Sequence, residues 1–331
     1  MAISAADVMK LRKMTSAGMM DCKKALEEAE GDFKKAVDII REKGKLVAAK
    51  RADRETSEGA VKARIDGNTA ILVCLGCETD FVSRNSEFQN LAEAIADVAI
   101  ANCPANLEEL KACKMPDGYT VEEAVEAQTG KTGEKHVLAY YAIIEAPFVA
   151  AYIHKLNGKL GALVGFNKPV SEALSKGVVM QVASMNPVAI SAESCPKEVL
   201  DTEYKVAVEK TKEEQVLKAV EAALKKVGIN PAHVDSEDHI ESNTAKGWIT
   251  PEQAEKAREI IKTVGAEKAA NLNPVMIENI AKGRVQKFLK ENTLEEQEYQ
   301  MCDDKKTVKE AIAAEDKDAK VLFTKRFSLT D

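Results

Sequence analysis

Residues 60–75, AVKARIDGNTAILVCL, carry the clearest structural signal in this chain. Both ends of the stretch favour β-strands, and they flank Asp66 and Gly67, a pair typical of the tight turn in a β-hairpin. Residues 86–101 follow with apolar side chains at helical spacing. The sequence therefore predicts an antiparallel sheet with a helix packed on it.

The same order of strand and helix recurs later in the chain. Residues 161–166, GALVGF, predict a second apolar strand, and residues 174–185 predict a second helix. The two sets lie about 84 to 92 residues apart, which favours two copies of one structural unit. We therefore expect an α+β fold with two related core subdomains.

The first 54 residues predict a small helical module and its linker. Apolar side chains recur at helical spacing in three short segments, which are separated at Gly18 and Gly31. The third predicted helix ends at Gly44, and residues 45–64 read as an Ala-rich, basic helical linker. A module of about 45 residues is near the lower size limit for independent folding, so it needs a neighbour or a partner.

Long charged helices dominate residues 201–290. Thr250 and Asn273 each precede a proline and predict a helix start, because Thr and Asn cap helices and proline is tolerated in the first turn. A closing strand is predicted only afterwards, at residues 319–329, so the helical block is an insertion of the coiled-coil type in the second subdomain. The predicted domains are 1–54, 55–145, 146–200 together with 291–331, and the inserted block 201–290.

Composition narrows the class of protein. The 331 residues are 45% hydrophobic and 31% charged, as in globular chains. A formal net charge of −7, and 5% aromatic residues with Trp248 as the single tryptophan, argue against direct nucleic-acid binding. The N-terminus lacks a signal-peptide pattern, no apolar run is long enough to span a membrane, and the seven cysteines read as reduced thiols. We expect a cytoplasmic protein that does not bind membranes.

Motifs for covalent catalysis are largely missing. The chain has no phosphate-binding glycine loop, and its four histidines show no metalloprotease spacing. Cys74 and Cys77 have the spacing of zinc and redox sites, but on a continuous strand they point to opposite faces, so chelation would need a turn at Gly76. His233 and His239 lie in an acidic segment that reads as a solvated connector. No metal or cofactor is expected.

Two segments predict protein-binding surfaces. Met19 and Met20 are adjacent at a predicted helix start, where one face cannot bury both, so one is expected to be exposed. Residues 78–85, ETDFVSRN, predict a loop between a strand and a helix. Asp80 and Phe81 would form an acidic, aromatic wedge on this loop. The same segment could instead serve structure alone, with Asp80 or Ser83 capping the following helix and Phe81 or Val82 folding under it as a hydrophobic staple.

These two segments resemble the signatures of the elongation factor Ts family, the guanine-nucleotide exchange factors of elongation factor Tu. Residues 15–26, TSAGMMDCKKAL, resemble the N-terminal signature, and residues 78–84, ETDFVSR, resemble the second. The resemblance continues through residues 158–164 and 280–288 to the final strand. The chain departs from the usual family residues, which are Glu, Asn and Gly, at Cys74, Gly76 and Ser16.

The resemblance implies a mechanism without covalent chemistry. The first module would be similar to ubiquitin-associated domains and would dock on the nucleotide-binding domain of elongation factor Tu, in its GDP-bound and nucleotide-free states. The second signature would intrude near the magnesium site of that partner, so that GDP leaves and GTP replaces it. The implied partner-binding residues are Met19, Met20, Lys23 and Thr79, and those implied to disturb the magnesium site are Asp80, Phe81, Val82 and Ser83.

Two alternatives stay open at this point. A cysteine-based metal or redox protein needs Cys74 and Cys77 to converge, whereas nucleotide exchange needs them buried with Asp80 and Phe81 exposed. A helical scaffold that forms homodimers through residues 201–290 predicts binding without any effect on nucleotide release.

Overall fold

The computed structural model describes residues 3–15, 17–156, 158–302 and 304–331. Ser16, one of the departures from the family pattern, lies outside the described residues. The chain divides into two compact units, the first formed by Met1–Ile190 with Gln297–Asp331 and the second by Ser191–Glu296.

The described residues form helices α1–α13 and strands β1–β6, together with short 3₁₀ turns. In chain order the helices and strands are α1 (Ala5–Thr15), α2 (Met19–Glu28), α3 (Phe33–Lys50), β1 (Glu58–Asp66), β2 (Thr69–Cys77), α4 (Asp80–Ser83), α5 (Ser86–Asn102), α6 (Leu107–Ala112), α7 (Val121–Thr132), β3 (His136–Glu145), β4 (Phe148–Ile153), β5 (Leu160–Phe166), α8 (Glu172–Met185), α9 (Lys197–Lys226), α10 (Glu237–Ala245), α11 (Pro251–Ala270), α12 (Pro274–Asn292), α13 (Val308–Glu315) and β6 (Val321–Ser328).

Helices α1 to α3 pack around a small apolar core of their own, in which Leu11, Leu26 and Ala36 are fully buried. The prediction that the third helix ends at Gly44 is wrong, because α3 continues to Lys50. The helical linker predicted over residues 45–64 is therefore wrong beyond Lys50, and β1 begins at Glu58. Gly44 lies where α3 crosses α7, so it serves close packing rather than helix termination.

Two three-stranded antiparallel sheets form the rest of the first unit, with strand orders β1-β2-β3 and β4-β5-β6. The predicted hairpin is confirmed: β1 pairs with β2 from Glu58 opposite Cys77 to Asp66 opposite Thr69. Gly67 in the turn has a φ of 54°, a left-handed conformation that glycine adopts without strain. Strand β3 was absent from the predicted elements, yet it pairs with β2 along most of its length.

The two sheets share an apolar core between them. One face of the hairpin contributes Val61, Leu72 and Cys74, which pack with Leu163 of β5. A side chain at Gly161 would collide with Leu72, since an added Cβ would lie 2.7 Å from its Cδ1. The absence of a side chain at position 161 of β5 thus allows the two sheets to approach closely.

The other face of the first sheet carries helices α5, α6 and α7. Phe88, Ile95 and Leu110 are completely buried there, in the core that this face of the sheet shares with the helices. In the second sheet, α8 packs on β4 and β5. The elements around the two sheets follow a similar order: β1, β2, α5, α7 and β3 in the first, and β4, β5, α8, α13 and β6 in the second. The helix before each closing strand, α7 or α13, begins with a Thr–Glu capping box.

The second unit is helical. Its core includes Leu224, Ile240 and Ala257, and α9 contacts both α11 and α12. The predicted helix starts at Thr250 and Asn273 are confirmed, because each side chain accepts backbone hydrogen bonds from the first turn of its helix. Among the described helices of the whole chain, none is long and apolar enough to cross a membrane.

Candidate functional site

The second signature lies where β2 ends against the outer helices of the first sheet. The predicted loop is wrong for residues 80–83, which form the single helical turn α4. This turn runs directly into α5, whose first turn is capped by Asn85 rather than by the signature's Asp80 or Ser83. Capping of α5 by Asp80 or Ser83 is therefore not what the structure has. We call residues 79–84 the tip.

Phe81 points away from the protein, and 85% of its surface is exposed. The next two residues turn inward: Val82 packs on the core of the first sheet and Ser83 is buried. Successive residues on a helix lie about 100° apart, so a turn that seats Val82 and Ser83 presents Phe81 to solvent. The inward apolar contact of the segment is thus made by Val82, which leaves the aromatic ring of Phe81 free.

Asp80 lies beside Phe81 and is partly exposed. Its carboxylate forms an ion pair with the guanidinium of Arg84 one turn later, at 3.3 Å. The Arg84 side chain is largely in water and that of Asp80 is partly exposed, so the pair contributes little to stability and can be broken by a partner. The tip therefore presents an aromatic ring and an available carboxylate side by side.

The start of the tip is held by Glu134, which lies just after α7. Its carboxylate accepts a hydrogen bond from the Thr79 backbone N–H at 3.1 Å and from the Thr79 hydroxyl at 2.8 Å. The end of the tip is held by Gln89 of α5, whose amide nitrogen donates to the Ser83 carbonyl at 2.6 Å. Gln89 belongs to α5 and Glu134 directly follows the end of α7, and both helices pack on the sheet.

The residue before the tip, Glu78, joins three segments. Its carboxylate accepts from the guanidinium of Arg51 at 2.8 Å and from the backbone N–H of Lys135. These two bonds, the one from Lys135 first, hold the pKa of Glu78 below its usual value. The end of α3 and the turn before β3 are thereby tied to the base of the tip.

Cys74 and Cys77 lie on the strand that leads to the tip, on opposite faces. Cys74 belongs to the core between the sheets and Cys77 to the core under α5. Burial raises the pKa of each thiol to about 12. Because the thiolate is the form that binds metals and attacks disulfides, the pair is poorly suited to either chemistry. Among the described residues, no three His, Cys, Asp or Glu side chains form a group that could hold a metal ion.

Strand β2 stays extended through Gly76, so the turn needed for chelation does not form. A Cβ at this position would lie 3.2 Å from the Thr56 hydroxyl oxygen and 3.3 Å from a methyl group of Val137. The pairing of β2 with β3 shifts by one residue between Cys74 and Leu75. Such bulges bend a strand and change the direction in which the chain leaves it, and this one lies three residues before Glu78.

The first signature lies on α2, in the three-helix module. Met19 and Met20 are both exposed, so exposure extends beyond the single methionine predicted. Lys23 lies one turn later on the same helix and forms a weak ion pair with Glu27 at 3.8 Å. Cys22 and Leu26, on the opposite face of α2, are buried. The helix therefore presents two flexible apolar side chains and a lysine to solvent.

Comparison with known proteins identifies the relationship. The family model described as "Elongation factor TS" matches residues 78–229 and 221–331. The chain belongs to the elongation factor Ts family. Curated proteins named "Elongation factor Ts" from Bacteroides fragilis and Bacteroides thetaiotaomicron are each 56% identical to it over 329 residues, covering 99% of both chains. One from Christiangramia forsetii is 37% identical over 331 residues, covering 99% of this chain and 98% of the relative.

Reasoning from the sequence missed Glu134, Gln89 and Arg51, the side chains that hold the family's second signature in place. Each lies outside the signature, and Glu134 is 55 residues from its partner Thr79. The sequence offered one weak signal, because a glycine such as Gly133 commonly ends a helix. In the structure Gly133 ends α7 with a φ of 72°, and Glu134 follows in the turn before β3. Nothing local indicates which residue that carboxylate meets.

Proposed function

We propose that this protein is a guanine-nucleotide exchange factor, a non-covalent catalyst that binds elongation factor Tu and speeds the release of GDP. The observation that carries the proposal is the exposed Phe81 on a helical turn anchored at both ends. Burial of a phenylalanine side chain is worth about 1.5–3 kcal/mol, and the chain forgoes most of it by holding Phe81 exposed on an ordered element. A binding role explains that exposure directly.

The tip would act on the partner's magnesium ion. Magnesium bridges the phosphates of a bound nucleotide and protein oxygens, so disturbing its ligands weakens nucleotide binding. Phe81 would wedge apart side chains near that site, while Asp80 would leave Arg84 and perturb the magnesium shell. Val82 and Ser83 would support the wedge from below. By linkage, the factor weakens nucleotide binding as much as nucleotide weakens binding of the factor, and abundant GTP completes the exchange.

The three-helix module would dock on the nucleotide-binding domain of elongation factor Tu. Exposed methionines suit an adaptable protein interface, and Lys23 adds a charge that can pair with a carboxylate. We infer that Met19, Met20 and Lys23 contribute affinity in both the GDP-bound and nucleotide-free complexes, with Thr79 at the edge of the contact. The similarity of this module to ubiquitin-associated domains is part of the same proposal.

Each predicted domain has its own role in the proposed function. Residues 1–54 would dock, residues 55–145 would carry the tip, and residues 146–200 with 291–331 would form a second copy of the same α+β unit. The inserted helices, residues 201–290, would allow two copies to pair. The protein would work in the cytoplasm without contacting nucleic acid or membranes.

Release of labelled GDP from elongation factor Tu tests the proposal. Adding the protein should speed release. At saturating factor, Phe81→Ala should release GDP about 10- to 100-fold more slowly than the unchanged protein, which corresponds to a loss of about 1.4–2.7 kcal/mol of transition-state stabilisation. The affinity of the complex should change far less. Trp248→Ala, which removes an exposed aromatic side chain from the second unit, serves as the control and should leave release unchanged. A protein that binds without speeding release would be the scaffold, and the proposal would be wrong.

A further inference from the structure

The tip is too short to hold its own shape. Four helical residues close only one turn, and an isolated turn of this length is unstable in water. Thr79 occupies the N-cap position of α4, but its hydroxyl caps no backbone N–H of that turn. The hydroxyl donates instead to Glu134. The order of the tip must therefore come from outside it.

Glu134 is well placed to supply that order. Its carboxylate accepts three hydrogen-bond contacts from Thr79, at 2.8 to 3.1 Å, using both oxygens. Its own backbone is fixed as well: the N–H donates to the Thr132 hydroxyl, and the carbonyl accepts from the buried ring of His136 at 2.9 Å. Hydrogen bonds to an ionised carboxylate are among the stronger ones in proteins.

Gln89 supplies the second anchor. While its nitrogen donates to the Ser83 carbonyl, its oxygen accepts from Lys62 of β1 at 2.8 Å. The amide is thereby held between the first strand and the end of α4. With the start and the end of the turn both fixed, the direction of Phe81 is set by two partly buried side chains that lie outside the tip.

We propose that Glu134, assisted by Gln89, is a positioning residue for Phe81 in nucleotide exchange. The inference rests on the proposed function and adds the group that pre-organises its wedge. A loosened tip still carries the ring, but the orientation that fits the partner is less populated, and the rate falls by that fraction. Glu134→Ala should therefore slow GDP release roughly 5- to 30-fold, which corresponds to about 1–2 kcal/mol.

A double-mutant cycle separates positioning from general destabilisation. GDP release at saturating factor is measured for the full chain, for Glu134→Ala, for Phe81→Ala and for the double variant. If Glu134 acts through the ring, it has nothing left to position once the ring is gone, so the double variant should be no slower than Phe81→Ala. Glu134→Gln keeps one acceptor oxygen for Thr79 and should recover part of the rate.

The matched control is Glu123→Ala. Glu123 closes the capping box at the start of α7, where it accepts from the Thr120 backbone at 2.8 Å, so its loss weakens the same segment without touching the tip. Release should stay within about twofold of the full chain. Should Glu134→Ala fail to fold, Thr79→Val removes the hydroxyl donor in a side chain of similar shape and should still slow release.

The outcomes distinguish the two proposals. Additive effects of Glu134→Ala and Phe81→Ala, or equal slowing by Glu123→Ala, would overturn the positioning role and leave the exchange function standing. Normal release with Phe81→Ala would overturn the exchange mechanism itself. Slowing by Glu134→Ala that vanishes in the Phe81→Ala background supports both.

Discussion

Single residues in this protein are placed by their immediate neighbours more than by their own preference. Phe81 is aromatic yet exposed, while its neighbour Ser83 is polar yet buried, with its hydroxyl bonded to the Asp80 carbonyl at 3.1 Å. Hydrophobicity alone predicts the reverse for both positions. The arrangement results from seating Val82 on the core, after which helical geometry assigns the other two side chains.

His136 shows the same dependence on surroundings. Only 7% of its surface is exposed, and its ring packs against Phe88 with centroids 5.5 Å apart. Because Nδ1 lies 2.9 Å from the Glu134 carbonyl, which can only accept, Nδ1 carries the proton, and buried Nε2 has no hydrogen-bond partner among the described residues. Burial lowers the pKa of this imidazole, so the folded protein favours the neutral ring.

This shift makes stability depend on pH. Because the unfolded chain binds a proton at His136 near pH 6.5 and the folded chain does so only at lower pH, the free energy of unfolding should fall as pH drops below about 6.5. His136→Gln removes that titration and should flatten the dependence between about pH 7 and 5. Urea unfolding of both proteins across this range measures it. A slope identical in the two proteins would show that His136 is not its source.

At the scale of elements, the close crossing of α3 and α7 joins the three-helix module to the first sheet. Gly44 and Gly130 meet at this crossing, where a Cβ on Gly130 would lie 2.9 Å from the Gly44 Cα. Glycine in a helix interior costs up to about 1 kcal/mol relative to alanine, so its presence on both helices favours contact over helix propensity. Arg41 stacks on the Tyr119 ring, 3.7 Å from its centroid, and reinforces the contact.

Gly130→Ala should therefore destabilise the protein despite the better helix propensity of alanine. The added methyl group pushes the two backbones apart, and overpacking of this kind costs about 1–3 kcal/mol. Gly283→Ala is the matched control, because a Cβ at this helical position of α12 would meet nothing within 4 Å. That variant should gain up to about 1 kcal/mol. Chemical denaturation measures both, and a stabilised Gly130→Ala would contradict the close crossing.

At the scale of the whole molecule, the two units differ in how they are stabilised. The first has buried cores on both sides of a sheet. In the second, the 30-residue helix α9 buries only four of its side chains, Ala207, Thr211, Val220 and Leu224. Long helices with little burial depend more on surface interactions, which are weak. The second unit is thus expected to be the less stable of the two.

Unfolding should accordingly occur in two steps. Trp248, the single tryptophan, lies in the second unit, so its fluorescence reports on that unit alone. The fluorescence transition in urea should come at a lower midpoint than the transition of the circular dichroism signal, which sums both units. Coincident transitions from the two probes would instead mean that the units unfold together.

The sequence was informative wherever the signal is local. The hairpin and the helix starts at Thr250 and Asn273 were predicted correctly, because turns and caps are set by a few adjacent residues. The turn lies one residue later than predicted, at Gly67 and Asn68, because Asp66 still pairs with Thr69. Strand β3 escaped prediction, since its burial alternates imperfectly and its pairing partner lies far away in the chain. Gly44 was misread because a glycine that ends a helix and one that packs against another helix look alike in sequence.

In the candidate site, too, some features follow from local sequence and others only from tertiary packing. Local sequence is sufficient for the two signatures, for the facing of Cys74 and Cys77 to opposite sides of a strand, and for the family that these motifs indicate. The helical form of the tip, the exposure of Phe81 and its anchoring by Glu134 were settled only by tertiary packing. The physical reason is the distance along the chain: a hydrogen bond between residues 55 positions apart forms only once the intervening sheet and helices have brought them together.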